Sequence, residues 1–124
     1  PGSERWTEVL TERAEQAIAQ WRAEGAPVYW WTTPRMRDTR FLTDDLNAIW
    51  DATVTAWGDG VTSLDSMVVL GDASGAYQDR MVDEGGRLVD LRKAQGVHFH
   101  EVGADLLARQ LEERLIADGW LVES

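Results

Sequence analysis

The sequence holds two histidines, and both fall in one stretch, Gln95-Gly96-Val97-His98-Phe99-His100-Glu101. A histidine in a loop just before a helix suits a general base, because the loop exposes the ring while the helix fixes its backbone. The same place also suits a surface or helix-capping histidine, and a lone imidazole does not choose between these roles. His98-x-His100 has the outline of a metal fragment, since an extended segment aims alternate side chains the same way. Glu101 is the only adjacent third ligand. Zinc sites usually add a helical His pair or a Cys pair, and neither is present, so no metal site is expected. No apolar run is followed by G-x-G-x-x-G or G-x-x-x-x-G-K, so no phosphate-bearing cofactor is expected either.

Two further groupings carry polar chemistry. Val69-Leu70-Gly71-Asp72-Ala73-Ser74-Gly75 has the outline of a serine on a turn beyond a strand, where hydrolases often place a nucleophile. Gly-Asp-x-Ser-Gly is equally the composition of an ordinary turn, and the turn is the more economical account. Arg35, Arg37 and Arg40 surround the Pro34 loop. They read as a solvated loop before they read as an anion site. Core packing explains Trp6, Trp21, Trp31, Trp50 and Trp57 more economically than ligand stacking.

The chain has 124 residues, enough for one domain with a real core. Twelve Lys and Arg stand against 22 Asp and Glu, a net charge of −10. Such a chain repels phosphate backbones, so nucleic acid is not an expected partner. There is no cysteine, hence no disulfide, thiolate site or Cys nucleophile. No apolar run approaches the ~20 residues of a membrane span. Pro1-Gly2-Ser3 reads as the remnant of a cleaved expression tag, which leaves residues 4–124 as part of a longer protein.

The elements that must position these groups follow from periodicity. Trp6, Val9, Leu10, Ala14, Ala17, Ile18 and Trp21 recur at helical steps and predict a helix over 4–24, capped by Ser3 and ended by Gly25. Residues 28–33, VYWWTT, predict a strand buried on both faces. A helix is predicted over 44–57 with Thr43 as its N-cap, and a second buried strand over 66–70, SMVVL. Residues 71–97 are broken by glycines into turns, with a short strand at 88–91. Leu106, Leu107, Leu111, Leu115 and Ile116 mark a final helix over 102–118.

Alternating strands and helices indicate α/β layering with parallel strands. Two strands alone would leave both sheet edges open, and parallel sheets need neighbours and cover. Further strands are therefore expected from elsewhere: a missing upstream segment, a second copy of this chain or a swapped partner.

Residues 92–108, RKAQGVHFHEVGADLLA, resemble a stretch R-x-x-D-G-V-H-F-T-x-x-G-A-x-x-L-A carried by many SGNH hydrolases, also called GDSL-type esterases and acyltransferases. Residues 25–34 resemble that family's strand ending in a proline loop, and Leu46-Asn47 its following helix. Gly75-Ala76-Tyr77 and Val82-Asp83-Glu84-Gly85-Gly86 resemble the loop before its histidine block. The resemblance implies a three-layer α/β/α fold with a five-stranded parallel sheet, of which only the C-terminal half is present here. It implies hydrolysis or transfer of an acyl ester, and relatives of that family work on cell-surface glycans. In that chemistry a Ser attacks the carbonyl, a His takes its proton and an Asp three residues earlier orients the His. By resemblance His98 is the general base, and Gln95 occupies the position of the Asp. The family's Gly-Asp-Ser block and oxyanion-hole residues precede the matched region, so this chain alone is expected to be inactive. The alternative reading is a non-catalytic SGNH-like module for binding or self-assembly.

Overall fold

The computed structural model describes residues 3–123. Of the three residues read as a tag remnant, Pro1 and Gly2 lie outside the described residues. The elements run α1 (Glu4–Arg22), β1 (Val28–Trp31), α2 (Thr43–Trp57), β2 (Val61–Leu64), α3 (Met67–Leu70), β3 (Arg80–Val82), β4 (Leu88–Asp90) and α4 (Glu101–Ala117). They form a mixed α/β structure of two units. One unit contains the chain up to Thr33 together with Arg40–Leu64; the other contains Pro34–Thr39 together with the chain from Asp65 onward.

The first unit is built on a two-stranded parallel sheet. Val28 pairs with Val61 and Trp31 with Leu64. Its core joins Ile18 of α1, Val54 of α2 and Val61 of β2, with Val28 and Trp30 packed against them. Ser3 caps α1 by accepting the Trp6 N–H at 3.1 Å. At the other end Arg22 donates to the carbonyls of Gly25 and Ala26, which helps close the last turn. Gly60 has φ +78, which requires glycine, while the Arg22 guanidinium that a Cβ would meet there is the movable end of a side chain. Trp30 and Trp50 pack ring against ring, with centroids 5.3 Å apart. Trp21, by contrast, is 70% exposed and Trp57 is also exposed, so core packing does not account for these two.

The second predicted strand is corrected. Residues 66–70 are not a strand: Met67–Leu70 is a helical turn, and the strand lies earlier, at Val61–Leu64. A short apolar run carries no period that separates strand from buried helix. The deciding signal is polar. The Asp65 carboxylate accepts the Met67 N–H at 2.9 Å, and the Ser66 carbonyl accepts the Leu70 N–H. Thr43 likewise proves to be the first helical residue of α2 and not its cap. The residues of β1 are half-buried along their whole length, not covered on both faces.

In the second unit β3 and β4 form an antiparallel hairpin with Arg80 opposite Asp90 and Val82 opposite Leu88. Asp83 organises its turn, accepting the Arg87 N–H with its side chain and the Gly86 N–H with its carbonyl. The strand at Arg80–Val82 has no counterpart in the sequence reading. Leu70 and Leu91 are fully buried here, and α3 and β4 both pack against α4. Leu106, Leu107, Leu111, Leu115 and Ile116 lie on α4 as predicted, half-buried rather than enclosed. Among the described residues no helix is long and apolar enough to cross a membrane.

Candidate functional site

Gln95 and His98 lie on an out-and-back loop between β4 and α4. The outgoing arm is anchored by Leu91, fully buried, and Arg92, 5% exposed. Arg92 bridges Phe99 in antiparallel fashion, and the Lys93 N–H donates to the His98 carbonyl at 2.8 Å. The Gly96 N–H donates to the Lys93 carbonyl and closes the tip. Gly96 has φ +70, and a Cβ there would stand 2.7 Å from the Arg37 Cβ, so this turn requires glycine. The His100 N–H returns to the Leu91 carbonyl at 2.9 Å, and α4 starts at the next residue. The side chains of Gln95 and His98 are exposed. His100 occupies the N-cap position of α4 without a side-chain capping bond. Asp90, a conceivable substitute orienter for the imidazole, is instead paired with Arg80 at 2.7 Å.

The underside of the loop is held by groups that sequence reasoning read otherwise. Arg35 and Arg37 both bond to other parts of this unit, although the Arg37 side chain stays exposed. Arg35 donates to the Gly75 carbonyl, and its own N–H points to the Met67 sulfur at 3.3 Å. Arg37 donates to the Ala94 carbonyl at 2.6 Å and to the Asp79 carboxylate. The Tyr77 hydroxyl also donates to Asp79. The Arg92 guanidinium lies between two rings, 5.2 Å from the Tyr77 centroid and 5.1 Å from that of Phe99. Arg37, Arg80, Arg92 and Lys93, with Asp79 and Asp90, line an open depression of about 410 Å³ beside the loop.

Ser74 lies in a turn organised by Asp72. The Asp72 carboxylate accepts the Ser74 hydroxyl at 2.7 Å and the N–H groups of Ser74 and Ala76. The serine hydroxyl is therefore spent on its own turn, with a carboxylate in place of a histidine as its acceptor. Among the described residues no cluster of three His, Cys, Asp or Glu is placed to hold a metal ion.

Hydrogen bonds from Tyr77 and Arg37 hold the Asp79 carboxyl below the usual carboxylate range. The Ser74 hydroxyl does the same for Asp72, and the Arg87 N–H for Asp83. Burial pushes the Tyr77 phenol up, and Asp79 adds to the effect. Burial also lowers Arg92, yet a guanidinium stays charged at any physiological pH. Depressed carboxyls stabilise the folded state fully above their unfolded pKa, about 4, and lose that contribution as pH falls through the folded value. The second unit is thus expected to loosen on acidification below about pH 4. Amide NMR signals of residues 72–99 report it. Asp79→Asn should flatten part of that acid limb, and an unchanged limb would count against the assignment.

Tyr77 and Arg92 stood in the sequence as parts of the matched segments and Asp79 only as a loop residue, with no role assigned to any of them. Their spacing has no helical or strand period, and the groups they meet are distant in sequence. The fold and this loop define a mixed α/β protein whose histidine is presented at a strand-to-helix connection. The chain belongs to the family described as "Protein of unknown function (DUF459)", whose model matches residues 1–114. No curated protein matches it.

Proposed function

We propose that this chain is the C-terminal portion of an SGNH-type acyl-ester hydrolase or O-acyltransferase domain, with His98 as the general base. The observation that carries the reading is the loop at 92–99. It presents His98 and, three residues earlier, Gln95, both exposed and directly before the helix start. Within that reading a serine contributed from outside this chain attacks the ester carbonyl, and His98 receives its proton. His98 then returns the proton to the leaving oxygen. To stand in for the acid, the Gln95 side-chain amide oxygen would have to accept from the imidazole N–H, a bond not formed in this structure, and it would bring no charge to stabilise the imidazolium. In a serine protease triad the corresponding acid-to-amide change costs ~10⁴ in turnover.

The two-stranded parallel sheet supports the expectation of a completing partner. Among the described residues β1 is paired to β2 alone and β2 to β1 alone. The N-terminal half of the same domain is the proposed occupant of the outer edges, and a second copy of this chain is the alternative. Gln95 favours a second functional reading, a non-catalytic SGNH-like module that binds an acylated ligand or assembles with itself.

An activated acetyl ester separates these. The 124-residue chain alone is expected to show no turnover above background. The full-length protein should turn over the ester and lose at least about 10³-fold in kcat on His98→Ala, in line with removal of a triad base. Turnover that survives His98→Ala would exclude His98 as the base. No turnover by the full-length protein would favour the binding module.

A further inference from the structure

The loop that carries Gln95 and His98 is held from beneath by two arginines, and the detail of that grip has a consequence for the base. Three of the four carbonyls at positions 94–97 accept from an arginine. Ala94 accepts from the Arg37 guanidinium at 2.6 Å, Gly96 from the Arg37 backbone N–H at 3.3 Å, and Val97 from the Arg92 guanidinium at 3.2 Å. These carbonyls flank Gln95 and immediately precede His98. The other arm of the Arg92 fork donates to the Arg35 carbonyl at 2.6 Å. One planar group therefore ties the loop at 97 to the segment at 35. The Tyr77 and Phe99 rings lie within cation–π distance of it, at 5.2 and 5.1 Å, and the fork serves two separate carbonyls at once, which a compact ammonium does not reproduce.

Among the described residues no carboxylate is bonded to Arg92, and its Nε is buried without a hydrogen-bond partner. Burying a cation whose N–H is unpaired is costly. An apolar residue would avoid that cost if filling space were the only requirement. The retained fork is accounted for by what its other two nitrogens do.

We propose that Arg92, assisted by Arg37, is the positioning residue for His98: it fixes the backbone of residues 94–97 and so the direction from which the imidazole is presented. This rests on the reading of His98 as the general base. Neither arginine touches the reacting atoms in this scheme, and both act through the loop.

Amide hydrogen exchange on the 124-residue chain tests the grip. Arg92→Lys and Arg92→Met are both expected to speed exchange at Lys93 and Gly96 by at least about tenfold, with Leu111 in α4 changing less than about twofold. Arg37→Gln, at an exposed side chain, should speed Gly96 by about threefold through loss of the Ala94 bond. Full protection in Arg92→Lys would overturn the proposal, because charge alone would then suffice. Equal acceleration at Leu111, or unchanged loop exchange in Arg37→Gln, would also overturn it. In the full-length protein Arg92→Lys should lower kcat about tenfold at unchanged KM, the signature of a misplaced base. If His98→Ala leaves turnover intact while the loop amides respond as stated, the general-base reading fails and the grip stands. If the loop amides do not respond, the grip fails whatever the turnover.

Discussion

Gly103→Ala is expected to destabilise the second unit by about 2–3 kcal/mol, against the direction that helix propensity alone would give. Alanine is favoured over glycine in a helix interior by about 1 kcal/mol. At this position the added methyl would run into the Leu91 carbonyl oxygen and stand 3.3 Å from the Leu91 carbonyl carbon. Both are backbone atoms, so no side chain can swing aside. Leu91 is fully buried, and its carbonyl already accepts the His100 N–H. Relief requires α4 to move off the strand end, which breaks the packing that seats the histidine loop. The clash therefore outweighs the propensity gain. Thermal unfolding should show a fall of roughly 10 °C or more, using 4–8 °C per kcal/mol for a small domain. A variant as stable as the parent would mean that α4 does not rest on Leu91.

The second large effect lies at Asn47, in the first unit. Its side-chain amide pairs with the Thr33 peptide as a strand would. The Asn47 oxygen accepts the Thr33 N–H at 2.6 Å, and its nitrogen donates to the Thr33 carbonyl at 2.9 Å. Trp50, three residues on and so on the same helix face, donates its indole N–H to the Thr33 hydroxyl at 3.0 Å. Asn47→Leu leaves both Thr33 groups unpaired in a half-buried place and is expected to cost about 2–4 kcal/mol. Asn47→Asp is the sharper test. The new carboxylate can accept the Thr33 N–H, but it faces the Thr33 carbonyl with no proton to give. Its folded pKa should rise above the unfolded value, so its stability should improve as pH falls through that folded value. Urea unfolding of Asn47→Asp at pH 7 and at pH 4 reads this directly. A midpoint that falls on acidification more than that of the parent would refute the pairing.

Most of the regular structure was legible because it is periodic. The stripes of α1, α2 and α4 repeat every three or four residues, and Ser3 announces its helix through a chemical role that needs no tertiary context. The apolar run at 66–70 misled for a definite reason. Hydrophobicity without a period fits either state, and the half-buried Thr62 and exposed Ser63 hid the true strand. The hairpin was half visible: Leu88–Asp90 reads as a strand, while its partner Arg80–Val82 is too short and too polar to stand out.

The candidate site divides in the same way. Gln95 and His98 could be named from local sequence, because a rare residue type in a recognisable block is a local signal. The groups beneath them could not. Arg37 meets Asp79 and Ala94 across 42 and 57 positions, and Arg92 meets Arg35 across 57. No spacing rule reaches so far. What could have drawn attention to Arg92 is its place at the head of the histidine block, the one arginine there within reach of two aromatic residues.

The short stretch Pro34–Thr39 has a consequence for how this polypeptide can be divided. It lies between β1 and α2 in sequence, yet it is grouped with the chain from Asp65 onward. The second unit is therefore discontinuous: it is assembled from two pieces of chain, with residues 40–64 forming a closed detour between them. A fragment beginning at Asp65 would contain both histidines and the whole of α4 but would lack Arg35 and Arg37, and with them three bonds that hold the 92–99 loop and its base. During synthesis the receiving residues, 75–97, emerge after the segment they capture, so the loop reaches its final form only when the detour has closed. Lengthening the detour should cost little, since closure entropy grows only with the logarithm of loop length. Cutting it frees the captured segment. An expression boundary drawn by compactness in sequence, at residue 65, would thus remove the part of the protein that gives its histidine a defined direction.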